Sequence, residues 1–201
     1  ESAVDEMLGD LMNNSKNPTV APYTKTGQVE LRITAKADTV QEAKEMLKPM
    51  EEKIISILGD KVYGRGIDNS MENVVVQLLR DKKLKVTCAE SCTGGMVAET
   101  LKSAGAVSEE TALEMSKGAL EKSGADIAVS ITGIAGPEGG TDEKPVGLVY
   151  ISVCTEDFHK AYKFNLTGER GMVRERAALY ALDLIRRCAL GIIDKEAEYI
   201  W

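Results

Sequence analysis

Residues 126–132 read DIAVSIT, a near-continuous apolar strand of the kind found in a sheet covered on both faces. Helices and strands alternate around it. Upstream, Ser70 is placed to cap a helix through Leu79, and Lys85, Val86 and Thr87 read as the end of a buried strand that leads to Ser91. A helix is expected from Ser108 to Ser123, with Glu109 and Glu110 in its first turn and Gly124 at its end. Downstream, Val146–Thr155 and His159–Asn165 read as two more strands; the second alternates polar and apolar residues and is expected at an edge. Met172–Leu190 closes the series as a long amphipathic helix. The pattern predicts an α/β fold, a layered domain over 70–190 whose central sheet is covered by helices, followed by a tail over 191–201.

Residues 1–66 read as a separate small α/β module. Val4, Met7, Leu8 and Leu11 give residues 3–12 a helical apolar pattern, and Asn17-Pro18 and Ala21-Pro22 are expected to break the chain. Gln28–Ala35 alternates as a half-buried strand. Thr39-Val40-Gln41-Glu42 is a capping box that opens a helix to about Leu58, with Pro49 expected to kink or divide it. Lys61-Val62-Tyr63 reads as a short strand and Gly64–Asn69 as a linker. Nothing in this module concentrates nucleophiles or titratable groups, so scaffolding or dimerisation is the expected role.

A net charge of −7 without any Lys/Arg block argues against a nucleic-acid surface. No apolar run approaches membrane-spanning length and the first residues resemble no signal peptide. Cys88 and Cys92 do not form a CxxC pair, and the single histidine, His159, is distant, which makes a poor zinc set. Four dispersed cysteines fit free thiols in a reducing cytoplasm. The chain opens at Glu1 rather than methionine, and the expectation is that it belongs to something longer.

Three segments carry chemistry. The first is TCAESCTGG, residues 87–95, where a strand, a sharp turn at Ser91 and a helix opened by Thr93-Gly94-Gly95 follow one another. Such a junction aims backbone N–H groups and a helix dipole at one point, and a hydroxyl there is a candidate nucleophile with oxyanion donors beside it. An ordinary turn with Ser91 or Thr93 as helix cap is the alternative. The second is TGIAGPEGG, residues 132–140, whose glycines let the backbone approach a ligand closely at the carboxyl end of a strand; an empty glycine-rich loop is the alternative. Its spacing fits neither the dinucleotide fingerprint nor the P-loop. The third is Arg170 with Arg174, four residues apart on one helical face and able to meet a phosphate or carboxylate. Here the alternative is a solvated face on which Glu169, Glu175, Arg170 and Arg176 pair with one another.

AESCTGG at 89–95, GAVSEETA at 105–112, TGIAGPEGG at 132–140, EKPVGLVY at 143–150 and GERGMVRERA at 168–177 resemble the C-terminal domain of the CinA family, which is similar to the stand-alone PncC enzymes. NPTVAPY at 17–23, LRITAKA at 31–37 and KVYG at 61–64 resemble the family's middle, KH-like domain. The resemblance implies a longer chain with an N-terminal domain similar to molybdopterin-binding folds. The ADP-ribose pyrophosphatase activity assigned to that domain is not carried onto these residues.

The resemblance further implies an amidohydrolase that converts nicotinamide mononucleotide and water to nicotinic acid mononucleotide and ammonia, in pyridine nucleotide salvage, as a homodimer and without metal or cofactor. By motif, Ser91 would be the nucleophile, Thr132 would orient the carboxamide and Arg170 would stabilise charge. The substrate-contacting set would be Cys92, Thr93, Gly94, Gly95, Gly133, Gly136, Gly139 and Arg174. One departure stands out. After this helix the family carries a longer stretch with a YSNEAK-like motif whose Tyr and Lys complete a Ser–Lys type of site, whereas here Leu101 runs at once into Lys102-Ser103-Ala104-Gly105-Ala106-Val107. A segment joined over in the numbering and a true deletion are the two explanations, the first preferred. As written, the chain shows no general base. The rival reading is therefore a non-catalytic nucleotide- or protein-binding module.

Overall fold

The computed structural model describes residues 2–66, 69–90 and 107–193. The chain divides into two compact units, the first ending at Gly64 and the second beginning at Arg65. In the first unit, α1 (Ser2–Asn14) is followed by β1 (Thr19–Lys25) and β2 (Gln28–Thr34), which pair antiparallel from Thr19↔Thr34 to Lys25↔Gln28. Helix α2 (Val40–Leu58) then closes the unit with a single 3₁₀ turn, Gly59–Lys61. The capping box is formed in full: the Glu42 N–H donates to Thr39 Oγ1 at 3.2 Å, and the Thr39 N–H to Glu42 Oε2 at 3.1 Å. Leu8, Val20, Ile54 and Leu58 form the buried centre, with Val4, Leu11, Leu31, Ile33, Met50 and Val62 packed around it.

Three local expectations are corrected here. Ala21-Pro22 does not break the chain but lies inside β1, paired with Arg32 and Leu31. A two-stranded ribbon is all edge, where a missing N–H is tolerated. Lys61-Val62-Tyr63 forms no strand; Lys61 ends the 3₁₀ turn, and the Val62 N–H closes back on the Gly59 carbonyl at 3.2 Å. Pro49 neither divides nor ends α2, which is assigned as one helix. Pro49 is exposed, so water can satisfy the carbonyl one turn back, and the stripe Met50, Ile54, Leu58 continues past it into the core.

The second unit contains α3 (Met71–Lys82), β3 (Val86–Glu90), α4 (Glu109–Ser123), β4 (Ile127–Gly133), β5 (Leu148–Cys154), β6 (His159–Asn165) and α5 (Arg170–Leu190). The described strands form one sheet in the order β3-β4-β5-β6, parallel between β3 and β4 and antiparallel thereafter. β4 is buried along most of its length, as its composition requires, and β6 alternates at the edge with Tyr162 and Phe164 turned inward. β3 departs from expectation. It runs on through Glu90, and Val86 (39% exposed) and Cys88 lie open to solvent. Val86 and Cys88 share one face of the strand, while Thr87 and Ala89 on the other are half-buried.

Helices cover both faces. On one face Ser130 Oγ donates to the Ala112 carbonyl of α4 at 2.6 Å, and Ser116 of α4 meets Ser152 of β5 at 2.8 Å, all three serines being fully buried. On the other, Phe164 of β6 stacks on Tyr180 of α5 with ring centroids 4.9 Å apart. α3 packs on α5 through Met71, Val75 and Leu79, a stripe at i, i+4, i+8. Ser70 and Ser108 cap α3 and α4 by accepting from the N–H groups of Asn73 and Thr111.

Candidate functional site

The parallel pairing of β3 with β4 sets the geometry. Val86 lies opposite Ile127, and the register holds to Glu90 opposite Ile131. The carboxyl ends of the two strands therefore lie on the same side of the sheet, β3 ending at Glu90 and β4 running two residues past Ile131 to Gly133. Ligands of α/β sheets bind outside such ends. Ser91, Cys92, Thr93, Gly94 and Gly95 lie outside the described residues. Thr132 lies opposite Tyr150 of β5, shares the α4 face of the sheet with Ser130, and is 1% exposed.

From Gly133 the chain enters a loop, residues 134–147, that returns as β5. Its base is closed by two backbone bonds, Ile134 N–H to the Leu148 carbonyl at 2.9 Å and Gly147 N–H to the Ile134 carbonyl at 2.7 Å. A tight turn forms its far end, where the Thr141 N–H donates to the Lys144 carbonyl at 2.9 Å and the Lys144 N–H to Thr141 Oγ1 at 3.0 Å. The chain's own packing accounts for two of the glycines that the sequence assigned to a ligand. A Cβ on Gly133 would lie 2.8 Å from both the Leu148 carbonyl oxygen and Val149 Cγ2, and one on Gly136 (φ +80°) would lie 2.5 Å from Val146 Cγ1. Gly139 also has a positive φ, +91°, and a Cβ there would make only ordinary contact with Ile134 Cγ2 at 3.8 Å.

Arg170 is the first residue of α5, and its Nη1 donates to the Gly136 carbonyl at 2.8 Å. That bond joins the arginine group to the glycine loop, two features that the sequence could only place side by side by analogy. Arg174, one turn on, is exposed. Arg176 turns back instead to Thr167, donating through Nη1 to its carbonyl at 2.6 Å and its Oγ1 at 3.1 Å. This replaces the pairing among Glu169, Glu175 and Arg176 that the spacing allowed.

A cation that the sequence reading passed over belongs to the same region. Lys144 Nζ donates to the Val107 carbonyl at 2.8 Å, across 37 residues of chain. Val107 immediately precedes Ser108, the cap of α4. The Glu110 carboxyl at this helix start is held below the ordinary glutamate range by the helix's own N–H at Glu110 and by the Ser108 hydroxyl, with a smaller pull from Lys144. The signal for Lys144 was the lysine in EKPVGLVY, but nothing local to that motif points to Val107.

His159, the chain's single histidine, lies away from this region. It lies opposite Cys154, which in turn lies opposite Ala128 near the amino end of β4, so the imidazole is at the other end of the sheet from Thr132. There its Nε2 sits 3.0 Å from the Leu113 carbonyl and 3.1 Å from Ser116 Oγ. Among the described residues no group of His, Cys, Asp and Glu side chains gathers to hold a metal ion, and no helix is long and apolar enough to cross a membrane.

The profile of the CinA C-terminal domain matches residues 68–104 and 97–189, and that of the damage-inducible protein CinA KH domain matches residues 1–64. The chain belongs to the CinA family. A CinA-like protein of Kosmotoga olearia is 43% identical over 226 residues, covering 96% of this chain and 55% of that protein. A putative competence-damage inducible protein of Clostridium perfringens is 44% identical over 220 residues, covering 93% and 53%. The chain thus spans about half the length of the curated relatives it matches. Among solved structures, a competence/damage inducible protein from Agrobacterium tumefaciens matches with a TM-score of 0.52 at 30% identity, over 61% of this chain and 98% of that one. A CinA superfamily protein from Escherichia coli matches with 0.52 at 27% identity, over 65% and 98%. The alignment with the Kosmotoga protein is longer than the 201 residues of this chain, so that relative carries residues without a counterpart here. The C-terminal profile matches in two pieces that meet at 97–104.

Proposed function

We propose that the second unit hydrolyses the carboxamide of nicotinamide mononucleotide, giving nicotinic acid mononucleotide and ammonia, with Ser91 as nucleophile. The observation that supports this reading is the parallel register of β3 and β4, in which Glu90, the last residue of β3, lies opposite Ile131, the neighbour of Thr132. In the first half-reaction Ser91 Oγ bonds to the amide carbon, the C–N bond breaks and ammonia leaves. In the second, water cleaves the acyl ester and restores the serine. Arg170 is suited to the substrate's negative charge because its guanidinium presents a planar fork of donors, of which Nη1 is engaged by the Gly136 carbonyl. Arg174 offers a second cation one turn away. Both steps need a proton acceptor, and in this family resemblance that acceptor is the Tyr/Lys pair of the stretch that this sequence lacks after Leu101.

That same gap favours a second reading, a module that binds the nucleotide without turning it over. Ammonia release from nicotinamide mononucleotide, compared between the protein and Ser91→Ala, separates the two. The deamidase reading expects turnover that falls at least about 10³-fold in the variant, the scale seen when a serine nucleophile is removed. Absence of turnover in both proteins, with calorimetry still reporting nucleotide binding, would establish the binding module instead.

A further inference from the structure

The loop over 134–147 is held by two cations, one outside it and one within it, that bond backbone carbonyls rather than carboxylates. Arg170 reaches in from α5 to the Gly136 carbonyl, and Lys144 reaches out of the loop to the Val107 carbonyl. Among the described residues neither forms an ion pair. Lys144 pulls weakly on the Glu110 carboxyl, but its direct bond is to the Val107 carbonyl, the geometry of a strut between two chain segments. One of those segments follows Thr132. The other is the point from which α4 departs, capped one residue later by Ser108.

α4 is itself fixed to the sheet farther along, by Ser130 on the Ala112 carbonyl and by Ser116 on Ser152. The first of these bonds reaches the end of the first turn, where Thr111 and Ala112 are buried, whereas Glu109 and Glu110 ahead of them are exposed. Lys144 supplies an anchor at the start, and the tight turn with Thr141 fixes the lysine backbone from which the side chain extends. Together with Arg170 it joins the start of α4, the glycine loop and the start of α5 into one block at the carboxyl end of β4.

From this we infer that Lys144 is a positioning residue for the site: its ammonium holds the glycine loop at a fixed distance from the start of α4, and with it the loop groups that meet the substrate. The inference rests on the proposed amidohydrolase reading for its consequence in catalysis, but the strut itself does not. Misplacement of a site group by about 1 Å can cost on the order of 100-fold in rate. Lys144 touches no reacting atom, so its effect is carried through the loop.

The test uses the full chain with Lys144→Met, which keeps the length and removes the donors, and Lys144→Arg, which keeps a cationic donor. Hydrogen exchange is followed at residues 107–112 and 134–147, and nicotinamide mononucleotide supplies the kinetics. Exchange should quicken in both segments together in Lys144→Met and stay near the parent in Lys144→Arg. The value of kcat/KM should fall ten- to a hundredfold in the first variant and less than threefold in the second. Unchanged exchange in Lys144→Met would overturn the strut, and faster exchange with unchanged kinetics would overturn its positioning role. Equal kinetic losses in both variants would also overturn it, since a cationic donor should rescue the contact. If the parent chain neither turns over nor binds the nucleotide, the proposed function fails, and the exchange measurement still decides whether Lys144 holds the two segments together.

Discussion

Asp183 of α5 is fully buried between two guanidinium groups. Its Oδ1 accepts from Arg186 Nε at 2.7 Å and lies 2.6 Å from Arg186 Nη2, while Oδ2 accepts from Arg187 Nε at 2.7 Å. Arg186 itself is 4% exposed. Removing one member of such a cluster leaves charge stranded in a region of low dielectric, which costs about 3–5 kcal/mol. Asp183→Ala should therefore lower the denaturant midpoint sharply, and a loss under 1 kcal/mol would mean that the arginines find other partners. The cysteines divide in the same local way. Burial, with a smaller push from Cys154, drives the Cys188 thiol up to about 12, and burial also raises Cys154, whereas Cys88 is exposed. At pH 8 only about one Cys188 in 10⁴ is thiolate, so iodoacetamide should modify Cys88 well before the other two. Peptide mass mapping over time reads this directly, and equal rates would contradict the burial. Neither the Asp183 cluster nor the Lys144 strut was legible in the sequence. The first looks like a routine run of helix charges, and the second joins positions that only the fold brings together.

At the scale of elements, what was legible was local. Thr39 and Ser70 cap the helices they were expected to cap, Ser108 caps the helix expected to start there, and Gly124 ends α4 with φ +62°, because a cap is decided within four residues. Pro22 and Lys61-Val62-Tyr63 were misread because their outcome depends on partners. A proline is admitted to β1 by the ribbon having free edges, and Val62 serves the first core without a strand to sit on. That β3 and β4 are strands was foreseeable from their apolar runs, yet the parallel register that sets Glu90 opposite Ile131 was not. The caps also make a pH prediction. Glu72 is held below its ordinary range by the Ser70 hydroxyl and then by its own backbone N–H, and Glu110 by its backbone N–H and then the Ser108 hydroxyl. A carboxyl lowered in the folded state stabilises fully above its unfolded value, about 4.3, and the contribution fades as pH falls through the folded value beneath it. Thermal unfolding between pH 3 and 7 should show a declining acid limb that is shallower in Ser108→Ala. That variant should also lose about 1 kcal/mol at neutral pH through its cap, and Ser108→Asp should recover most of it. An acid limb identical in Ser108→Ala and the parent would show that the hydroxyl does not hold Glu110.

Across the whole molecule, two separate cores imply two separate stabilities. The first unit gathers Leu8, Val20, Ile54 and Leu58 around a two-stranded ribbon. A chain of roughly 60 residues buries only about 60% of its unfolded surface, which leaves such a unit marginal. The second unit encloses a sheet between helices, with Ile151, Val153 and Leu184 fully buried. Solved relatives are matched almost end to end by 61–65% of this chain, so a protein of that size suffices for the fold they share with it. Calorimetry of the full chain should accordingly show two transitions, the lower from the first unit. Ile54→Ala, at 5% exposure, removes core contacts worth about 2–5 kcal/mol and should move only the lower transition. Leu184→Ala should move only the upper one by a similar cost. If both substitutions shift a single transition, the units melt as one cooperative body, and the first would then carry part of the stability of the second.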